Sequence, residues 1–181
     1  MISPELLLQG YQLGVFPMGM EDGTVEWYSP DPRAILPLDK FHVPHGLRRA
    51  VEKKKFEIRI NTRFVEVIRA CGKREDTWIT REIIRSYERL HELGFAHSVE
   101  AWQDRKLAGG LYGVAIGGAF FGESMFHRVT DASKVSLVAL VEQMRARKFV
   151  LLDTQWSTSH LAQFGVTEIS RTHYMRVLLR A

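Results

Sequence analysis

The chain has 181 residues, of which 45% are hydrophobic and 25% charged. This composition excludes collagen, coiled coil and intrinsic disorder, and gives length for one compact domain or two small lobes on a shared core. No apolar run approaches the roughly 20 residues a membrane-spanning helix needs, and the N-terminus lacks a basic region followed by a sustained apolar stretch, so a cytoplasmic protein without membrane attachment is expected. Cys71 is the only cysteine, which excludes an intrachain disulfide and a cysteine-rich zinc site. A net charge of +4 and a pI near 9.3 favour a polyanionic partner only where the positive charge is clustered.

All six prolines lie in the first 44 residues, which predicts an irregular front that wraps the rest. Ser3 followed by Pro4 starts a helix of about ten residues that ends near Gly14. Between Trp27 and Leu38 the prolines confine any strand to a sheet edge. Residues 45–55 read as helix, and Phe56-Glu57-Ile58-Arg59-Ile60 alternates like a strand with one buried face. A short helix over 62–71 carries Phe64, Val67 and Ile68 on one side. Thr80 caps the next, whose stripe is Ile83, Ile84, Tyr87, Leu90 and Leu93, and Gly94 stops it.

Three strands follow over 96–102, 107–116 and 119–126, joined by Asp104-Arg105-Lys106 and by the hairpin signal Gly117-Gly118. A helix over 132–147 turns Val135, Val138, Leu140, Val141 and Met144 inward, and 149–153 is a continuous apolar strand. Short helices over 161–164 and 173–179 close the chain. An antiparallel meander followed by helix and strand implies an α+β fold whose sheet opens where a parallel pair begins. The layout resembles the GNAT-like acyltransferases, a likeness of fold that carries no chemistry by itself.

In Leu151-Leu152-Asp153-Thr154-Gln155-Trp156 an apolar strand ends in polar residues. The period of two puts Asp153 and Gln155 on one face about 6.7 Å apart. Such a pair either orients an amine and accepts its proton, or caps a turn beside an exposed amide. Glu123 and Gly122 interrupt an apolar stretch; a buried carboxylate there needs hydrogen bonds or a cation, whereas on an edge strand it would simply be solvated. Lys134 follows a candidate N-cap, Asp131, in a first helical turn, where it opposes the helix dipole and suggests a ligand or an ion pair.

Arg48, Arg49, Lys53, Lys54 and Lys55 form the one basic cluster, suited to a phosphate backbone or to a solvated helix face. Trp27, Tyr28 and Trp78 are stacking candidates for a base or core aromatics with a polar tip. The histidine pairs His42 with His45 and His91 with His97 lack a third ligand, so no metal is expected. Gly109-Gly110-Leu111-Tyr112-Gly113 matches no nucleotide-binding motif, and the glycine-rich pyrophosphate cradle of CoA enzymes is missing.

Seven motifs in order carry a resemblance over residues 6–174: WYSPDPR (27–33), TWIT (77–80), LHELGFAHSVE (90–100), GLYGV (110–114), FGESMF (121–126), ASK (132–134) and LDTQ (152–155). Together they closely resemble the bacterial leucyl/phenylalanyl-tRNA protein transferases. That resemblance implies transfer of Leu or Phe, and less readily Met, from aminoacyl-tRNA to the N-terminal Arg or Lys of a protein, which marks it for degradation. It implies a GNAT-like catalytic domain (61–181), a reduced N-terminal lobe (1–60), no cofactor and a monomer.

By the same resemblance the Gln155 amide oxygen holds the attacking α-amine and Asp153 polarises that contact. Leu111, Phe120, Gly122, Met125, Leu137, Leu140 and Leu152 line the pocket for the transferred side chain. Trp27 or Tyr28, Trp78 and Glu123 hold the terminal adenosine, and Arg48 to Lys55 is the tRNA surface. Ser170, His127 and Thr158 depart from the family pattern, at positions that bear on tRNA and acceptor recognition. An acyl-CoA N-acyltransferase, or a non-catalytic binder of tRNA or protein N-termini, are the alternative readings.

Overall fold

The computed structural model describes residues 1–181. It is a mixed α+β fold in which a seven-stranded sheet separates two helical layers. Ser3 caps α1 (Pro4–Gln12), its side chain accepting from the Leu6 N–H, and Gly14 at φ +75° turns the chain out of it. Strands β1 (Phe16–Gly19) and β2 (Val25–Tyr28) form a separate antiparallel ribbon. Next come β3 (Arg33–Ile35), α2 (His45–Glu52), β4 (Glu57–Ile60), α3 (Phe64–Cys71) and α4 (Arg81–Glu92). The meander β5 (Ala96–Gln103), β6 (Lys106–Ile116) and β7 (Ala119–His127) leads into α5 (Ala132–Ala146) and β8 (Leu151–Gln155). The chain ends in α6 (Ser159–Ala162), β9 (Thr167–Ile169) and α7 (Arg171–Leu178). No helix is long and apolar enough to cross a membrane.

The sheet order is β4-β5-β6-β7-β8-β3-β9, and only β7 and β8 run parallel. α1, α3 and α4 cover one face over a core that includes Leu7, Ile68, Tyr87 and Phe121. α2 and α5 cover the other, where Val135, Leu137, Leu140 and Met144 meet Leu111, Phe120 and Leu152. Within residues 1–60, α1 and the β1–β2 ribbon stand apart from the large sheet, whereas β3 and β4 belong to it.

Several expectations are corrected. β3 is not an edge strand: it lies between β8 and β9, and it fits there because its three residues fall wholly between Pro32 and Pro37, so no proline has to donate within the ladder. β4 and β9 are the edge strands instead, and of the expected buried face of 56–60 only Phe56, just ahead of β4, is buried: Ile58 and Ile60 are exposed, while Arg59 lies over the Trp102 ring at 4.5 Å. Leu93 is exposed at the end of α4. β8 begins two residues later than expected, because Lys148 at φ +60° is still leaving α5 and Val150 is exposed.

Two irregularities interrupt the centre of the sheet. On β6 and β7 the register runs Tyr112↔Ser124 and then Gly113↔Gly122, which leaves Glu123 as an extra bulged residue aimed away from the ladder. The β7–β8 pairing covers Ala119↔Leu151 to Phe121↔Asp153 and then stops, so the two strands part beyond it. Gly113 makes the bulge compact: an added Cβ would collide with the Phe121 carbonyl and the Phe120 ring. Gly113→Ala is therefore expected to lower folding stability by about 1–3 kcal/mol, read as a reduced urea midpoint at unchanged slope.

Candidate active site

A cavity of about 440 Å³ opens where β7 and β8 part. Its apolar end is built by Leu111 of β6, Met125 of β7, Leu137 and Leu140 of α5 and Leu152 of β8, with Leu161 of α6 added to the expected set. Gly122 lines it as expected. Phe120 does not: its ring is buried behind the wall against Gly113. Trp78 and Glu123 line the cavity, but Trp27 lies outside it against Gly10, and the Tyr28 hydroxyl donates to Glu26 at 2.7 Å. The aromatic surface comes instead from Phe16 and Trp156, whose rings meet edge to face at 5.1 Å, with Met18 beside them. Their signal in the sequence was weak, because a lone Trp after an apolar strand has no periodicity to mark it.

Gln155 lines the cavity and Asp153 does not. Asp153 is fully buried, and four donors fill its carboxylate: Arg33 Nε (3.0 Å) and the Gln155 N–H (2.9 Å) on Oδ1, and Arg33 Nη2 (2.7 Å) and the Tyr174 hydroxyl (2.8 Å) on Oδ2. Burial pulls the Arg33 guanidinium down, yet its hydrogen bonds to Asp153 together with the charges of Asp153, Tyr174 and Glu123 outweigh this and hold it above its ordinary range. The Tyr174 hydroxyl is driven well up by burial and by Asp153. Asp153 therefore touches Gln155 through the backbone, and the contact holds Gln155 at φ +58°, a conformation that L-residues rarely adopt.

The Gln155 side chain has a second anchor. Its Nε2 donates to Glu123 Oε1 at 3.3 Å, which leaves the amide oxygen without a partner in the protein and facing the cavity. Tyr11 donates to the same Glu123 oxygen at 2.8 Å, Tyr87 sits 3.3 Å from the other, and the two phenols hydrogen-bond each other. Three oxygen-bearing groups with three mutual contacts need three protons. The phenols supply two, so the ring closes only when the carboxyl carries the third. Burial, which outweighs its hydrogen bonds, pushes the Glu123 carboxyl up to about 8, and burial beside Glu123 raises Tyr11 and Tyr87 well above their ordinary range. Arg74, Tyr112 and Ser124 complete this end, and the Tyr112 hydroxyl is buried without a partner. No three His, Cys, Asp or Glu side chains are grouped closely enough to hold a metal ion.

The basic run is exposed on α2 and the turn after it, away from the cavity wall. Its last member, Lys55, reaches the Thr130 carbonyl at 3.3 Å, in the loop from β7 to α5 that borders the cavity. Lys134 pairs loosely with Asp131 at 3.9 Å. His127 and Thr158, two of the departures from the family pattern that bear on tRNA and acceptor recognition, line the cavity with Ser133 of the ASK motif and with His160, which the sequence did not single out.

Comparison with known proteins bears directly on this geometry. The model of the leucyl/phenylalanyl-tRNA protein transferase family matches residues 35–179, and that of the N-terminal domain of the same proteins matches residues 1–31. The chain belongs to this family. A leucyl/phenylalanyl-tRNA protein transferase of Salinibacter ruber is 58% identical, covering 99% of this chain and 80% of that one. Those of Akkermansia muciniphila and Herpetosiphon aurantiacus are each 55% identical over 99% of this chain, and 96% and 94% of their own lengths. Two solved structures share the fold at a TM-score of 0.51. One is a functionally unknown conserved protein of Staphylococcus epidermidis, 10% identical, covering 94% of this chain and 65% of that one. The other is a conserved protein of unknown function from Bacteroides thetaiotaomicron, 13% identical, covering 74% and 54%.

Glu123 gives this family member a pH signature. A carboxyl raised from about 4.3 unfolded to about 8 folded contributes stability that is full below pH 4.3 and lost as pH rises through 8. Over that window wild-type stability should fall by up to about 1.4 kcal/mol per pH unit relative to Glu123→Gln, which cannot ionise. Denaturation of both proteins between pH 5 and 8.5 measures the difference.

Proposed function

We propose that the chain transfers Leu or Phe, and less readily Met, from aminoacyl-tRNA to the N-terminal Arg or Lys of a protein, marking it for degradation, and that the reaction occurs in the cavity between β7 and β8. The observation that carries this reading is the Gln155 amide oxygen, free of protein partners at the edge of an apolar pocket. An aminoacyl ester is already activated, so the protein has to align an amine with the carbonyl and stabilise a tetrahedral centre. Gln155 is suited to hold the α-amine, and Asp153 to act through it as a positioning residue. The six apolar side chains around Leu137 supply a pocket for the transferred side chain. Trp78 and Glu123, joined by Phe16 and Trp156, supply the surface for the terminal adenosine.

The parallel β7–β8 pair splaying beside an antiparallel β4–β7 meander supports a GNAT-like arrangement, with residues 1–60 as a smaller lobe over the catalytic part, 61–181. The run from Arg48 to Lys55, tied to the cavity border through Thr130, supports a tRNA surface. A cytoplasmic monomer accords with this reading. Transfer of radiolabelled leucine from Leu-tRNA to a peptide with N-terminal arginine tests it; binding of the tRNA without transfer would leave only a recognition module.

Two variants separate chemistry from support. Gln155→Ala should slow single-turnover transfer about a hundredfold with aminoacyl-tRNA affinity nearly unchanged. Asp153→Asn leaves Arg33 buried without its counter-ion and should lower stability by about 3–5 kcal/mol, visible as a depressed melting temperature. Replacing Lys53, Lys54 and Lys55 by Glu should weaken all tRNAs alike and flatten log K against log salt by roughly 0.7 to 0.9 per lost phosphate contact.

A further inference from the structure

The cavity lining also carries polar groups that the proposed transfer chemistry leaves unused. Ser133 is 2% exposed, lines the cavity and makes no side-chain hydrogen bond. His160 Nε2 is buried, also lines the cavity and has no partner. Ser133 is the second residue of α5, a helix of 15 residues, and His160 lines the same cavity. The N-cap, Asp131, makes no side-chain bond to the first turn; the Ala132 N–H donates to the Val129 carbonyl at 3.1 Å, and the positive end of the helix dipole is not offset by a capping carboxylate bond. Lys134 adds a cation, and its contact with Asp131, at 3.9 Å and partly exposed, leaves the ammonium able to take a better acceptor. The local field is positive: burial first, then Lys134 and His127, hold the His160 imidazole below its ordinary range.

A hydroxyl and an imidazole nitrogen without partners line the cavity, and an ammonium held only at 3.9 Å follows Ser133 just outside that lining, at a helix start without a side-chain cap; together they are a donor set for an oxyanion with several acceptor oxygens. The position selects which one. The same loop that leads into α5 carries the Thr130 carbonyl held by Lys55, so a polyanion lying on the basic run of α2 is led across this loop to the cavity mouth. A carboxylate would suit the charge but has no such track leading to it.

We propose that Ser133, Lys134, His160 and the N-terminus of α5 form a phosphodiester subsite that takes the last internucleotide phosphate of the donor's 3′ end. It fixes the terminal nucleoside before the side-chain pocket fills. This deepens the proposed function and rests on it.

The test uses unreactive donors, 3′-leucylamido-3′-deoxyadenosine with a free 5′-hydroxyl and the same compound bearing a 5′-methylphosphate diester, titrated against the full chain. The diester should bind wild type about ten- to a hundredfold more tightly, the range of a charge-assisted contact. Lys134→Met and Ser133→Ala should each bring that ratio towards one, and Lys134→Arg should keep most of it. Equal affinity of wild type for the two compounds overturns the subsite, as does a loss in Lys134→Met that falls equally on both. Inorganic phosphate displacing the diester no better than chloride at equal ionic strength supports recognition of the nucleotide; displacement of the diester to the affinity of the hydroxyl compound shows that any phosphate fills the site, which overturns the nucleotide assignment. If neither compound binds, the adenosine reading of the cavity has failed instead, and leucine transfer from intact Leu-tRNA reports on that independently.

Discussion

The buried ion pair between Arg33 and Asp153 is the constraint on which the rest of the site depends. Both side chains are essentially inaccessible, at 1% and 0%. Two opposite charges in such a place persist only when every donor and acceptor is answered. Here they are: Asp153 has its four donors, and Arg33 spends its third hydrogen-bonding direction on the Gly14 carbonyl while lying over the rings of Phe16 and Tyr174 at 4.8 and 4.6 Å. One guanidinium thereby joins the end of α1, the ribbon, strand β8 and the last helix. The small N-terminal elements share no strand with the large sheet, and this pair is what registers them against it.

The consequence reaches the cavity through a single backbone bond. Asp153 accepts from the Gln155 N–H, and Glu123 accepts from the Gln155 side chain, so both ends of that residue are fixed by groups that have no other freedom. Glu123 is in turn placed by the bulge opposite Gly113, and closed into its ring by Tyr11 from α1 and Tyr87 from α4. Elements from the beginning, the middle and the end of the chain meet on one amide. An amide is neither a strong base nor a nucleophile, and its value to a reaction lies wholly in where it points, which is why the fold invests in holding it.

Much of this was legible in the sequence. The Ser3–Pro4 start of α1, the Thr80 cap and Gly94 stop of α4, and the stripe of α5 are local signals, and local signals survive into the structure. The closeness of Asp153 and Gln155 was legible too, but not its form: at φ +58° Gln155 leaves the strand period, so it alone lines the cavity while Asp153 holds its backbone from behind. What was not legible depends on partners distant in sequence. Arg33 reads as the end of a proline-rich loop, and nothing near it announces Asp153, 120 positions away. Trp27 looked like a stacking platform because of its neighbours, but Gly10 supplies a flat seat on α1 that draws it out of the site. Phe16 and Trp156, unremarkable alone, become a wall only when β1 and the end of β8 are brought together.

The division of the cavity follows from the same geometry. Residues from α5 that face it are Ser133, Leu137 and Leu140, one helical stripe whose first member is polar and whose later members are not. The polar groups thus gather at the helix start, where the dipole favours an anion, and the apolar ones at a distance from it, where no polar atom reads the ligand. A pocket of that kind sorts side chains by volume and shape, with modest penalties per methylene, while orientation is left to the charged and hydrogen-bonding groups at its two rims. Gln155 stands between them. Rigid anchoring of that one residue lets an activated ester and an amine, each bound for its own reasons, meet at a fixed angle, and alignment supplies the acceleration that a stronger base would otherwise have to provide.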